Sequence, residues 1–237
     1  MRRRGRGMVL VVIVAMLTPA LADADDLGGV GTASITVHSP GDLPVVPTIL
    51  MADCFCGADR QINGQLPEYV GSGVWDSHAF VRTAGRLRPP SNGQPNRLAF
   101  YDSGKTDIAV EATLIRTDDR SQLGLVVRAN GQFGTGLTDY RLVAFLQNDR
   151  AYLVAWAGGK RTQLADVAGF APPATTRLRM EIVGTQVRVL ADGVRVIELV
   201  LPAPLDTQLA GYTFAGLYAE DASVERIDDV LVTTWPP

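Results

Sequence analysis

Arg177-Leu-Arg-Met-Glu-Ile-Val183, then Gln186-Val-Arg-Val-Leu-Ala191, Asp192-Gly193 and Val194-Arg-Val-Ile-Glu-Leu-Val-Leu201 form a nearly continuous run. In the first segment Leu178, Met180 and Ile182 alternate with Arg177, Arg179 and Glu181, the period-two pattern of a strand with one face in the core and one in water. Asp192-Gly193 joins two apolar runs at the spacing of a two-residue type I′ hairpin, a turn that needs positive φ at both positions. Working outward, the same texture covers the chain from Val45 onward. Candidate strands are Val45–Phe55, Phe80–Leu87, Arg97–Tyr101, Ile108–Arg116, Leu123–Ala129, Tyr140–Gln147 and Ala151–Trp156. Others follow at Gln163–Val167, Leu178–Val183, Gln186–Ala191, Val194–Leu201, Thr213–Tyr218 and Val224–Thr233. Asn130-Gly131 and Gly158-Gly159 add turn signals, and no stretch sustains a 3.6-residue period. In Leu123–Ala129, Leu123, Leu125 and Val127 share one side, and Gly124, Val126 and Arg128 the other. Short strands with one apolar face each, and no helices to cover a sheet, bury those faces against one another. The expected fold class is all-β, a two-sheet antiparallel sandwich.

Composition agrees with a folded chain. Of 237 residues, 46% are hydrophobic and 20% charged, and the formal net charge is −3. Residues 1–22 hold four Arg and no acid, so the remainder carries 18 basic against 25 acidic groups, or −7. Such a surface offers no diffuse cationic footprint for nucleic acid.

Arg2-Arg3-Arg4-Gly5-Arg6 precedes an apolar run from Met8 to Leu17, then Thr18-Pro19 and the small-residue frame Ala20-Leu21-Ala22. This is the pattern of a secretory signal peptide over residues 1–22, cut between Ala22 and Asp23. The run is half the ~20 apolar residues that a membrane span needs. The expectation is an exported, extracellular chain with no membrane insertion. Residues 23–44, rich in Asp, Gly, Ser and Pro, read as a leader or linker with one edge strand at Ser34–Val37, and residues 45–237 as the sandwich domain.

Export makes a disulfide available to Cys54 and Cys56. They flank Phe55, so a regular strand places both thiols on one face with their Cα atoms near the upper limit of disulfide geometry, about 6.8 Å. Two buried, unbridged thiols are the alternative. A Cys/His zinc site is disfavoured, because only His38 and His78 remain to complete it and neither sits at ligand spacing.

Ala52-Asp-Cys-Phe-Cys-Gly-Ala-Asp59, Asn63-Gly-Gln-Leu-Pro-Glu68, Gly71-Ser-Gly-Val-Trp75 and Gly85-Arg-Leu87 resemble the opening of secreted bacterial concanavalin A-like (laminin-G-like) jelly-roll domains. Leu123–Arg128, Asp139-Tyr140, Leu178–Gly184, Val189–Gly193, Ala215–Leu217 and Ile227–Val230 recur in the order of that family. The resemblance spans roughly residues 50–235. It implies a two-sheet jelly-roll sandwich and leaves the ligand open, because the superfamily includes lectins, glycanases and adhesion modules.

Glycanases of that fold carry two carboxylates on one strand, in an E-x-D-x-E run, to serve as acid and nucleophile. No such run is present. Glu225-Arg-Ile-Asp228-Asp229 comes nearest, but Glu225 and Asp228 project to opposite faces of a strand. The Arg-x-Glu-x-Arg pattern of jelly-roll lyases, a Gly-x-Ser-x-Gly elbow and a phosphate loop are absent too. The enzyme reading therefore has no motif behind it, although acids from distant loops remain an alternative.

Sugar recognition uses an aromatic platform for the apolar pyranose face, with planar polar groups beside it. Arg128, Tyr140 and Trp156 are the candidate glycan-binding group, against the alternative that strand aromatics are core. The resemblance also suggests structural calcium at the rim, for which Asp53, Asp228 and Asp229 are the candidate ligands, since terminal strands of such sandwiches commonly pair. The alternative is that these acids cap turns or meet water. No cofactor is required. The expected function is a secreted, non-catalytic module that binds a polysaccharide or surface glycan, ahead of a glycan-processing enzyme and of a structural or interaction protein of the cell envelope.

Overall fold

A computed structural model describes residues 46–77, 80–89, 97–118, 120–133, 138–220 and 225–235. Residues 1–45, where a signal peptide, a leader and the Ser34–Val37 strand are expected, lie outside the described residues, as do His38 and His78.

In chain order the strands are β1 (Thr48–Asp53), β2 (Arg60–Gln61), β3 (Asp76–Ser77), β4 (Val81–Thr83), β5 (Arg86–Arg88), β6 (Arg97–Asp102), β7 (Ile108–Ile115) and β8 (Gln122–Ala129). They continue with β9 (Tyr140–Gln147), β10 (Arg150–Ala157), β11 (Lys160–Val167), β12 (Thr175–Val183), β13 (Gln186–Ala191) and β14 (Val194–Val200). A helix, α1 (Ala203–Leu209), precedes β15 (Phe214–Glu220) and β16 (Arg226–Thr234). They form two antiparallel sheets. The nine-stranded sheet runs β14-β13-β12-β7-β16-β5-β4-β2, with β1 paired to β16, and the seven-stranded sheet runs β11-β10-β9-β8-β15-β6-β3. The first and last strands pair as expected, with Asp53 opposite Val230.

The inner faces meet in one core. Leu123, Leu125 and Val127 of β8, Leu142, Ala144 and Leu146 of β9, and Leu153 and Ala155 of β10 face Val110, Ala112 and Leu114 of β7 and Leu178, Met180 and Ile182 of β12. At about 25 cal/mol per Å² of apolar area, this burial is the main force holding the sheets together. The outer face of the nine-stranded sheet is instead a ladder of charge. Arg177 and Arg179 reach Glu111, Arg179 reaches Glu181 at 2.6 Å, and Arg188 and Arg195 reach Glu198.

The turns follow their residues. Asp192-Gly193 has φ of 49° and 79°, and Gly158-Gly159 has 61° and 76°, the type I′ signature at both hairpins. Phe80–Leu87, expected as one strand, is broken in the middle. Ala84 and Gly85 have φ of 50° and 72°, turning the segment into the β4–β5 hairpin. The helix α1 is the other departure from an all-strand expectation. It has seven residues and buries only Leu205 and Leu209, one turn apart, too short a pattern for a period to emerge.

Buried polar groups tie the connections down. Glu225 has no solvent exposure and accepts from the Thr117 N–H at 2.7 Å, the Thr117 hydroxyl at 3.1 Å and the Asp118 N–H at 3.0 Å. It thereby fixes the chain leaving β7. Asp53 accepts from the Phe55 N–H and from Trp75 Nε1, both at 2.8 Å, which seats the Trp75 indole in the core.

Candidate functional site

The outer face of the seven-stranded sheet is neither charged like its counterpart nor simply polar. β8 and β9 are buried on both sides, and a second apolar cluster of Leu98, Phe100, Val126, Ala129, Val143, Phe145, Val154, Trp156 and Tyr218 lies on that face. Alternation places Arg141, Val143 and Phe145 of β9 there, with Tyr152, Val154 and Trp156 of β10.

Register decides who meets whom. Trp156 stands opposite Arg141 on one side and Arg161 on the other. Both guanidiniums lie over the indole, at 4.5 Å and 5.6 Å from the ring. Such stacking contributes about 0.5–2 kcal/mol per contact and holds each guanidinium plane in place. Phe145 stands opposite Tyr152, with ring centroids 4.9 Å apart and stacked. Arg150 lies 6.0 Å from the Tyr152 ring and pairs with Asp166 at 2.7 Å.

Gly124 explains how the remaining ring joins. It sits between Tyr218 on β15 and Phe145 on β9. A Cβ at this position would be 2.0 Å from the Ala144 carbonyl oxygen. With no side chain between them, Tyr218 and Phe145 lean together at 5.6 Å, and Tyr218 also reaches Trp156 at 6.2 Å. The Tyr218 hydroxyl donates to Glu220 Oε2, with Gln122 Oε1 at 3.1 Å. Burial, followed by that hydrogen bond, raises the phenol well above its ordinary range. Asp139 and Arg141 are both buried and lie 3.0 Å apart. Burial pushes the Asp139 carboxyl up to about 6 against the opposing pull of Arg141, and burial lowers the Arg141 guanidinium.

The three residues singled out from sequence do not converge. Trp156 belongs to the outer face. Tyr140 lies on the opposite side of β9, packed against the inner core and paired with Tyr212 at 5.4 Å. Arg128 sits at a bulge with φ of 46°, where Val126 and Ala129 pair with Gly216 and Phe214. Its guanidinium donates to Thr106 O at 3.2 Å and Gly184 O at 2.6 Å and pairs with Asp107 at 3.2 Å, clamping β8 to the connections of the other sheet. Arg141, Phe145, Tyr152, Arg161 and Tyr218 take their place around Trp156. Their positions on strands could be read from alternation, but the β9–β10–β11 register that brings them to Trp156 could not.

The candidate metal ligands stand on the paired strands β1 and β16. Both Asp53 oxygens accept internal hydrogen bonds, and burial raises its carboxyl despite them. Asp228 accepts from the Asp229 N–H at 3.0 Å and lies 3.6 Å from Arg86, and burial, with Asp229 adding, raises it. Asp229, with φ of 49°, stands at a bulge of β16. Asp53 and Asp229 line one pocket of about 260 Å³ with Tyr69 and Arg177. Among the described residues, the group of three metal-ligating side chains with donor atoms together is Cys54, Cys56 and Glu68. The two cysteines are joined as a disulfide.

No family model matches the sequence, and no curated protein matches it. The chain is similar to the laminarinase from Rhodothermus marinus, with a TM-score of 0.54, 9% identity, and coverage of 81% of this chain and 99% of that one. It is also similar to a Bacillus subtilis protein of unknown function with a galectin-like fold, at a TM-score of 0.52, 10% identity, and 79% and 96% coverage. A third is an endo-acting O-glycanase of the human gut microbiota that initiates mucin breakdown, at a TM-score of 0.51, 12% identity, and 79% and 99% coverage. At such identities the likeness concerns the fold, and the architecture described above is that of a concanavalin A-like jelly-roll sandwich.

Proposed function

We propose that this chain is an exported, non-catalytic module that binds a polysaccharide or surface glycan on the outer face of its seven-stranded sheet. One observation carries the proposal: Trp156 is held between the Arg141 and Arg161 guanidiniums, beside the Phe145–Tyr152 stack and the Tyr218–Glu220 pair. Trp156, Phe145, Tyr218 and Arg141 are themselves buried, so the half-buried Tyr152 ring and the exposed Arg161 guanidinium that rest on them are the aromatic and planar polar groups open to a pyranose face and its hydroxyls. Two of the fold neighbours, the laminarinase and the O-glycanase, are named for acting on glycans.

The outer-face positions of β8, β9 and β10 argue against hydrolysis. They are Gln122, Gly124 and Val126, then Arg141, Val143 and Phe145, then Tyr152, Val154 and Trp156, with no carboxylate among them. The carboxylates beside these strands, Glu220 of β15 and Asp139 ahead of β9, are engaged by Tyr218 and Arg141 rather than set as a facing acid and nucleophile pair. A purely structural role predicts both outer faces covered by charge, whereas the seven-stranded sheet mixes its charged groups, Arg150–Asp166 among them, with an apolar and aromatic cluster.

A glycan-array and polysaccharide pull-down screen, run with and without calcium, tests the proposal. Retention on at least one polysaccharide is expected. No retention under either condition overturns it, and release of reducing ends from a bound polysaccharide would replace it with an enzymatic function.

A further inference from the structure

Away from the aromatic face, the loop after β1 gathers the two cysteines of the chain with Glu68 and Arg82. Phe55 has φ of 51°, with its N–H held by Asp53 and its ring in the core against Trp75 at 5.9 Å. This left-handed residue curls the backbone so that the Cα atoms of Cys54 and Cys56 stand 5.2 Å apart, closer than in a strand. Cys54 is buried and Cys56 is exposed. Glu68 Oε2 accepts from the Cys56 N–H at 2.6 Å and lies 3.1 Å from Cys54 Sγ. Its other oxygen accepts from the Gly57 N–H at 2.8 Å and from the Arg82 guanidinium. Arg82 is buried and anchored through Nε to Ala58 O at 2.7 Å.

We propose that this cluster is a redox-gated metal site, closed as a disulfide and able, as a dithiol, to take one zinc-class divalent cation through Cys54 Sγ, Cys56 Sγ and Glu68 Oε2. The three donor atoms already lie within 4.8 Å of one another. A tetrahedral cation with metal–sulfur bonds of about 2.3 Å needs donors ~3.5–3.8 Å apart, a spacing that side-chain rotation supplies once the S–S bond is gone. The exposed side of Cys56 leaves a fourth position for water or for the Tyr69 hydroxyl, 3.7 Å from its sulfur.

Charge is the second argument. In the disulfide state Glu68 and Arg82 neutralise each other. With two thiolates and Glu68 facing a divalent cation and Arg82, the site is neutral again. A part-buried cluster that moves between these states carries no uncompensated charge, the condition under which burying Cys54 and Arg82 is tolerable. The chemistry balances as well. Two thiols of an external reductant become its disulfide and leave Cys54 and Cys56 as thiols, and the cation then displaces their two protons without itself changing oxidation state.

The test uses the full chain, reduced with a phosphine and titrated with Cd²⁺, whose thiolate bonds absorb in the ultraviolet. Because the chain has two cysteines, a dithiolate band reports this site alone. One equivalent of Cd²⁺ is expected to raise the band in the reduced protein and none in the unreduced protein. Cys56→Ser should abolish it, and Glu68→Gln should weaken binding about tenfold or more while circular dichroism stays unchanged. A reduced, folded chain without the band, a band that survives Cys56→Ser, or an unchanged affinity in Glu68→Gln overturns the proposal. Unfolding on reduction overturns it too, because the site needs the loop held in place. Glycan retention is read separately, so neither result decides the other.

Discussion

Asp53 and Glu225 show how single carboxylates organise loops in this sandwich. Each is buried and gathers donors, Asp53 from the interior and Glu225 from the exposed turn after β7. In Asp53→Asn one oxygen becomes an amide, so either the Phe55 N–H or Trp75 Nε1 faces a donor. A loss of about 1–3 kcal/mol is expected in urea denaturation. Glu225→Ala removes the acceptor for three donors and should cost at least as much by the same measurement.

Asp139 sets a pH dependence. Its carboxyl is raised from 3.8 to about 6 in the fold, so the folded chain holds this proton more tightly than the unfolded one. The contribution to stability is therefore complete below the unfolded value and is lost as pH rises through about 6, with a plateau above. The lost amount is at most roughly 3 kcal/mol. Asp139→Asn should flatten this part of the curve, so the difference between wild type and variant in urea midpoint changes between pH 4 and 7 and is constant beyond.

At the scale of elements, β8 is the strand whose tolerance is narrowest. Gly124→Ala would drive a Cβ into the Ala144 carbonyl and the Phe145 backbone, at 2.0 Å and 2.7 Å. Because the obstacle is backbone, a loss at or beyond the ~1–3 kcal/mol of ordinary overpacking is expected, read as a lower melting temperature. Helix α1 is held by Leu209, fully buried, so Leu209→Ala should cost about 2–5 kcal/mol and loosen the helix from the core.

These elements also show what a sequence yields. The β12–β13–β14 meander was legible because alternation and Asp192-Gly193 are local signals that agree. The β4–β5 break was not, because Ala84 adopts a left-handed conformation that alanine rarely takes and the tertiary pairing of β4 with β5 imposes. The site was half legible for the same reason. Trp156 sits on a face that alternation defines, whereas Arg141 and Arg161 reach it through cross-strand register, a long-range property. The placement of Tyr140 with Trp156 failed at the simplest step, since one faces the inner core and the other the outer face.

At the scale of the molecule, the two outer faces divide the work. The nine-stranded sheet presents Arg–Glu pairs that are worth little individually but cover its outer face with charge. The seven-stranded sheet stacks buried aromatics and guanidiniums beneath Tyr152 and Arg161, and the outer-face positions of β8, β9 and β10 carry no carboxylate, the neighbouring Glu220 of β15 accepting from Tyr218. The difference between the faces, rather than the fold they share, is what supports the proposed glycan binding.

The most direct measurement is calorimetric titration of a retained polysaccharide into the wild-type chain and into Tyr152→Ala and Arg161→Ala, two variants at half-buried and exposed positions that leave the inner core intact. Binding in the wild type, weakened about tenfold or more in each variant, is the predicted result. Equal affinity in all three proteins would contradict it.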